Sequence, residues 1–400
     1  MEMFIEPQKQ LPVYGNYDTV VAGGGFAGIA AALAAARHGN KVLLCEKMFV
    51  LGGLGTAGLV TIYLPLCDGM GNQLSFGIAE ELLKASIADG FEASYPRAWL
   101  ESGTLEERIS RRYFVRYNAC ACVIAMEKLL LEAGVEILYG TSVCSVSVDN
   151  DRITHLILEN KSGRSAVKVG NVIDCTGDAD ICAYCEEKTV NHGTGNILAA
   201  WFYYCDENGN NLKTFGATDY GAEKEGTKEY NAMAEHRYYS GLDARSLSDM
   251  VLASHKSIHN YFLKEEKLSP THMLTSIATI PQVRMTRRVV GQYTMTKADD
   301  HKCLPDSVGM FGNWRGTGVG EQYELSYRAL FGSKVKNLAV AGRCISADDE
   351  MWDVTRVIPV CAVSGQAAGT AAALSQDFAN VDIIKLQDTL IEDGVKLHNV

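Results

Sequence analysis

The spacing of apolar and polar positions changes character several times along the chain. Tyr17–Ala22 is a short β-rich run ending in glycines, Phe26–His38 is an alanine-rich apolar segment of helix length, and Lys41–Cys45 is again continuous and apolar. Short apolar runs bounded by turn residues predict buried strands and the longer one a buried helix, so a β-α-β unit is expected from residue 17. Arg116–Ala133 predicts a further helix. After it, Val135–Tyr139, Ser142–Asp149, Ile153–Glu159 and Ser165–Val169 are separated by turn residues such as Asp149-Asn150 and Ser162-Gly163, which predicts a strand meander. Asn171–Cys175 predicts one more buried strand, running into the turn Thr176-Gly177-Asp178.

From about Ile197 the pattern shifts to the aromatic run Trp201–Tyr204, then to a polar stretch from Asp206 to Tyr230. This second region continues through a helix-like Ser246–Leu263 and the basic segment Arg284–Arg288. Asn337–Ala341 returns to a buried-strand pattern and Ile358–Leu374 to a small-residue helix, so the last portion matches the first in chemistry. No internal repeat or low-complexity tract is apparent.

The chain has 400 residues, enough for two or more cores. Lys and Arg total 37 against 48 Asp and Glu, a formal charge of −11, the wrong sign for wrapping nucleic acid or an anionic membrane. The longest apolar stretches, such as Phe26–Ala36 and Ile197–Cys205, fall short of the roughly 18–20 residues of a membrane span. No membrane insertion is expected. The first residues show no apolar signal core, and a cytoplasmic location is expected. Most of the 12 cysteines sit in apolar runs and read as buried thiols.

Gly23-x-Gly25-x-x-Gly28 directly follows a predicted strand and opens a predicted helix. In that context the first glycine permits the turn, the second admits a pyrophosphate to the backbone, and the third lets helix and strand close. Glu46, at the end of the second strand, is placed to bind a ribose. These residues point to a dinucleotide and do not separate NAD from FAD. The glycine run Gly52-Gly53-Leu54-Gly55-Thr56-Ala57-Gly58 favours FAD, since it would let the chain pass close under an extended second part of the cofactor.

The combination of YDTVVAGGGFAGIAAALAAARHG, LLCEK, LGGLGTAGLV, VIDCTGDADI and LAVAGRCIS…TRVIPVCAVSGQAAGTAAAL resembles the FAD-dependent oxidoreductases with a glutathione-reductase-like flavin domain. The resemblance covers roughly residues 17–190 and 284–375. It implies an α/β fold: a Rossmann FAD-binding domain from residues 1–195 and 284–400, with an α+β substrate or cap domain inserted at 196–283. It further implies that Gly23, Gly25, Phe26, Ala27 and Gly28 hold the pyrophosphate, with Glu46 and Lys47 by the adenosine. Gly53 and Thr56 would contact the pyrophosphate or flavin side, and Val143 would meet adenine through its backbone. Cys175-Thr176-Gly177 stands where the family has Ala-Thr-Gly. Gly342, Arg343, Arg356 and Val357 would approach the ribityl chain and the flavin, with the helix from Ile358 directed at its N1/O2 edge.

Arg284, Arg287 and Arg288 match a basic motif of that family and are candidates to orient an anionic substrate by bidentate bonds. An ion-paired strand or helix edge is the alternative. The family's histidine before the arginine matching Arg356 is missing here, and the stretch carries Asp348, Asp349, Glu350 and Asp353 instead. Crowding would raise one of their pKa values, and Asp349 is the candidate proton carrier. Trp352 is either a substrate platform or core.

Cys182-Ala-Tyr-Cys185 has no second C-x-x-C to complete a thiolate site, and the histidines form no ligand pair, so no metal is expected. His192, His255 and His259 are further general-base candidates. The expected activity is hydride exchange between flavin N5 and a small polar or anionic organic molecule. Without a second G-x-G-x-x-G, the electron donor or acceptor is expected to be external. An oxidase or monooxygenase using dioxygen, or a binding subunit with structural FAD, are the alternatives.

Overall fold

A computed structural model describes residues 3–90, 95–216 and 225–399; part of the polar stretch expected between Asp206 and Tyr230, residues 217–224, lies outside them. Strand β1 (Val13–Ala22) leads through the glycine turn into helix α1 (Phe26–Arg37), and β2 (Val42–Cys45) returns parallel to β1. Helix α2 (Ala119–Glu132) starts where the Asn118 side chain accepts from the N–H groups of Cys120 and Ala121. It is followed by β3 (Glu136–Leu138), parallel to β2, then by β4 (Ser142–Asp149), β5 (Arg152–Asn160) and β6 (Gly163–Asp174).

The sheet order is β3-β2-β1-β6-β5-β4. One strand, β6, serves two partners on one edge. Its first half pairs antiparallel with β5, and its last residues pair in parallel with the strand Leu338–Val340, which brings the C-terminal part of the chain into the same sheet. The sequence expectation of two strands, Ser165–Val169 and Asn171–Cys175, is corrected here, because Gly170 interrupts nothing. A Cβ there would lie 2.6 Å from the Asp18 carbonyl oxygen, so glycine lets β6 stay against β1 through that point.

A second cluster of buried residues, running from Leu198 to Val283, is separate from the main core. It joins the three-stranded antiparallel sheet of Phe202–Asp206, Gly209–Lys213 and Met273–Ile277 to helix α3 (Ala244–Ile258). The expected helix Ser246–Leu263 ends at Ile258 and finishes as a wider π-turn, His259–Leu263. The two segments connecting the clusters run side by side, Thr189–Asn191 antiparallel to Arg287–Val289. Buried Asn196 stitches them further, accepting from Arg284 N–H at 2.6 Å and donating to the Met285 carbonyl at 2.9 Å.

Helices α4 (Asp349–Thr355) and α5 (Ile358–Leu374) follow the Leu338–Val340 strand. Among the described residues no single helix is long and apolar enough to cross a membrane; α4 and α5 together reach the length but meet at 88°. Most of α5 is buried against α1.

Candidate cofactor and substrate site

Four loops gather at the C-terminal ends of parallel strands, the place where open α/β sheets bind ligands. After β1, Gly23 has φ +107° and a Cβ would lie 2.4 Å from the Cys175 carbonyl oxygen, so this turn and the one after β6 are in direct contact. At Gly28 a Cβ would meet the Gly23 carbonyl oxygen at 1.8 Å. Gly25 is different: a Cβ there would find nothing within 4 Å among the described residues. The glycine thus keeps a space open above the start of α1. Gly25 caps α1 without a side-chain bond, and the first turn, which includes Phe26 and Ala27, has no acidic residue. Its free N–H groups and positive dipole end remain available to an anion. Across the gap stands Gly53, φ +54°, whose Cβ would come within 3.5 Å of the Gly25 Cα.

After β2, the carboxylate of buried Glu46 accepts from Gly24 N–H and Met48 N–H, both at 2.7 Å. Each oxygen keeps a lone pair for a further donor, such as a ribose hydroxyl. Lys47 beside it is exposed, and Val143 is half-buried at the start of β4. Thr56 is buried, its hydroxyl donating to the Leu51 carbonyl.

After β6, Cys175 is buried and Gly177 has φ +82°. The turn is held from beneath by fully buried Asp174, which sequence reasoning did not single out. Its carboxylate accepts from Thr176 N–H and Oγ1 and from the N–H groups of Ile181 and Cys182. Burial raises its pKa from the ordinary value, against the pull of those donors. After the fourth strand, Gly342 (φ +84°) donates its N–H to Ser364 Oγ, and the Arg343 guanidinium bonds the Val283 carbonyl at 2.9 Å and Asp178 Oδ1 at 3.2 Å.

Helices α1 and α5 lie parallel, with Gly365 against Ala27 and Ala30 and Gly369 against Ala31 and Ala34. Since Gly365 is level with the first turn of α1, the start of α5 at Ile358 projects past it by about 9 Å, at 1.5 Å per residue. Val357 caps α5 without a side-chain bond, and the first turn of α5 also lacks acids. Two helix N-termini therefore face one end of the sheet, staggered along one line. This fits an extended dinucleotide: α1 and Gly25 suit its pyrophosphate, Glu46 its ribose, and α5 an electron-rich ring edge further along. Among the described residues, Arg356 Nε next to that N-terminus is buried without a partner.

The arginine triplet is not presented as a set. Arg287 bonds the Asp178 carbonyl at 2.9 Å and Asp180 Oδ1 at 2.7 Å, as an ion-paired strand edge would. Burial pushes the Asp180 carboxyl up to about 6, with the Asp174 and Asp178 charges adding to the shift. Buried Arg288 lies over the Trp352 ring at 5.9 Å, its Nε without a partner among the described residues, and desolvation lowers its pKa. The Arg284 carbonyl accepts from Arg343 at 3.3 Å.

Of the acidic stretch, Asp349 is exposed at the first position of α4, Asp348 caps that helix, and Glu350 pairs with Lys297. The expectation that crowding raises a pKa fails at Asp353. Burial pushes it up, but Arg356 and Arg315 outweigh that and hold the carboxyl below its ordinary range. Trp352 is wholly buried, its indole N–H donating to the Arg343 carbonyl at 2.5 Å, so it is core. His255 and His259 are exposed on the second cluster, while His192 packs edge-on to Trp352 at 5.9 Å. Cys182 and Cys185 are buried, and burial raises both thiols, Cys185 to about 11. Thiols so shifted are poor nucleophiles.

A cleft of about 1020 Å³ opens between the two clusters. One wall is Thr56, Ala57, Leu59, Tyr117 and the N-terminal turns of α2; the other carries Tyr203, Asn208, Asn210, Asn211 and Ser276. It adjoins the glycine run at Thr56. None of Arg284, Arg287, Arg288 or Asp349 lines it, and among the described residues its charged lining residue is Arg116, which sequence reasoning placed inside a helix. The walls are latched by Thr279 N–H on the Ala57 carbonyl at 2.9 Å and by Gln282 Nε2 on the Gly58 carbonyl at 2.5 Å.

Comparison with known proteins agrees with this reading of the cofactor. The family model for FAD-dependent oxidoreductases matches residues 18–197 and 197–390. A thioredoxin reductase of Ureaplasma parvum serovar 3 is 35% identical over 78 residues, which are 20% of this chain and 25% of that one, so the match spans about a quarter of that relative. Among solved structures, a geranylgeranyl bacteriochlorophyll reductase-like protein of Thermoplasma acidophilum is 15% identical, covering 95% of this chain and 84% of that one, with a TM-score of 0.46. A p-nitrophenol 4-monooxygenase of Pseudomonas putida is 12% identical, covering 96% and 81%, with a TM-score of 0.47. The family match spans nearly all of the chain, including every loop described above: the protein belongs to the FAD-dependent oxidoreductase family.

Proposed function

We propose that the chain catalyses two-electron exchange with a small polar or anionic organic substrate held in the cleft between the two clusters, with an external partner completing the redox cycle. Bound FAD supplies hydride transfer at its flavin ring. What supports the substrate class is the composition of the cleft. Among the described residues its lining has one cation, Arg116, and no carboxylate, and Asn208, Asn210, Asn211, Thr275 and Ser276 offer amide and hydroxyl groups on the far wall. The start of α2 also opens onto it through Asn118, Ala119 and Cys120, adding the positive end of a helix dipole.

In this reading Arg116 and the amides orient the substrate, while Leu59, Val123 and Ile124 exclude water from its apolar part. Arg287 and Arg343 are positioning residues, since their guanidiniums tie the 283–288 segment to Asp178 and Asp180. Arg288, buried against Trp352, and Arg284 are placed to shape the same segment. Asp349 is an exposed proton carrier at most for a substrate that reaches the start of α4.

Anaerobic titration of the flavin absorbance with a panel of carboxylates, amides and neutral metabolites tests the reading. Arg116→Met should weaken binding of the reducing compound by about 10–100-fold, as for loss of a charged hydrogen bond, with FAD content unchanged. Unchanged binding would remove the substrate from this cleft.

A further inference from the structure

Three potential metal ligands far apart in sequence meet on the side of the molecule where the C-terminal segment packs. Cys303 Sγ lies 3.6 Å from His398 Nδ1, and the same nitrogen lies 2.9 Å from Glu324 Oε1. Glu324 is buried, Cys303 exposed and His398 part-buried, and the three ligand atoms all fall within 4.8 Å of one another. Neither a C-x-x-C nor a histidine pair marks the cluster, which is why no metal was expected from sequence.

We propose that Cys303, Glu324 and His398 form a binding site for a divalent ion of the zinc class. The donor set of thiolate, imidazole and carboxylate suits zinc and disfavours magnesium or calcium, which prefer all-oxygen shells. The spacing also suits it. Zinc–sulfur and zinc–nitrogen bonds of about 2.3 and 2.05 Å at a tetrahedral angle put sulfur and nitrogen about 3.6 Å apart. Nitrogen and oxygen would stand about 3.4 Å apart, so the carboxylate has to withdraw by about 0.5 Å. Without an ion, Nδ1 has at most one proton and can donate to only one of its two neighbours. With one, all three ligands are satisfied, the imidazole binding as its Nε2–H tautomer and the thiol giving up its proton to solvent.

The surroundings hold the ligands in place. Leu304 N–H donates to Glu324 Oε2 at 2.6 Å, which turns Oε1 toward His398. Ser307 Oγ donates to the Leu397 carbonyl at 2.6 Å, and Asn399 Nδ2 to Gln322 Oε1 at 2.5 Å, so the chain is anchored on both sides of His398. Such supporting bonds are typical of built metal sites. The ion would staple the C-terminal segment to the hairpin of Ser307–Gly312 and Gln322–Ser326, with water in the fourth position.

The test uses FAD-loaded full-length protein, freed of metal by a chelator and titrated with Co²⁺. One equivalent should bind, giving tetrahedral d–d bands to the red of the flavin absorption, and Zn²⁺ should displace it. Cys303→Ser and His398→Ala should each weaken binding by at least about 100-fold, the upper figure for disturbing even an outer-shell partner. Both positions are at or near the surface, and an unchanged flavin spectrum and metal-free Tm would confirm intact folds. No tetrahedral Co²⁺ signal, or one that survives both substitutions, would overturn the proposal.

Discussion

A Cβ placed on Gly365 would lie 2.2 Å from the carbonyl oxygen of Ala27, so α5 and α1 touch backbone to backbone. The contact fixes how far the start of α5 stands beyond the start of α1. Gly365→Ala should push the helices apart, lowering stability by about 1–3 kcal/mol, as overpacking does, and loosening FAD as well. Thermal denaturation with and without added FAD measures both; a variant as stable and as yellow as wild type would show that this contact sets nothing.

Asp353 lies between Arg315 and Arg356, and its depressed pKa carries a pH dependence with a definite sign. The folded value is below the unfolded one, near 3.9, so the stabilisation is fully present above that value and is lost as pH falls through the folded pKa. Asp353→Asn removes the negative charge that the Arg315 and Arg356 guanidiniums share. Because Arg315 is 39% exposed, the cost at neutral pH should be at the low end for a broken buried pair, about 3 kcal/mol. Melts of the two proteins should converge as pH falls from neutral through the folded pKa of Asp353. A constant difference across that range would contradict the assignment.

Arg343 spans the Val283 carbonyl and Asp178, so it holds the second cluster's connecting segment to the loop after β6. Lysine keeps the charge and loses the fork. Arg343→Lys should make the 281–288 segment about 10–100-fold easier to open, the equivalent of one charged hydrogen bond, and limited proteolysis should cut there first. Equal cleavage rates in wild type and variant would assign the restraint to Asn196 and Gln282 instead.

What the sequence revealed was local in origin. Gly23-x-Gly25-x-x-Gly28 and Ile358–Leu374 are legible because turn chemistry and a continuous apolar run lie within one window. Gly170 misled, since a glycine that admits a neighbouring backbone looks the same as one that ends a strand. Arg287 read as a candidate substrate ligand because its partners, the Asp178 carbonyl and the Asp180 carboxylate, belong to a distant loop. Asp174 stood inside a recognised motif, yet only its fourfold acceptance of N–H and O–H groups gives it a role. Arg116 was hidden by a helix drawn too long. The Asn118 cap was the signal that the helix starts at Ala119 and leaves Arg116 on the strand before it.

The contrast between Gly25 and Gly28 tests the cofactor site most directly. Both are motif glycines, but a Cβ at Gly25 enters empty space at φ −70°, an angle open to any residue, whereas one at Gly28 collides with Gly23. Gly25→Ala should therefore fold at a cost below about 1 kcal/mol, the penalty of alanine at a helix cap, and lose at least tenfold in FAD affinity. FAD released per folded chain, measured beside Tm, gives both numbers. A Gly25→Ala protein that keeps FAD at the wild-type ratio would mean that the space above α1 is not where the cofactor binds.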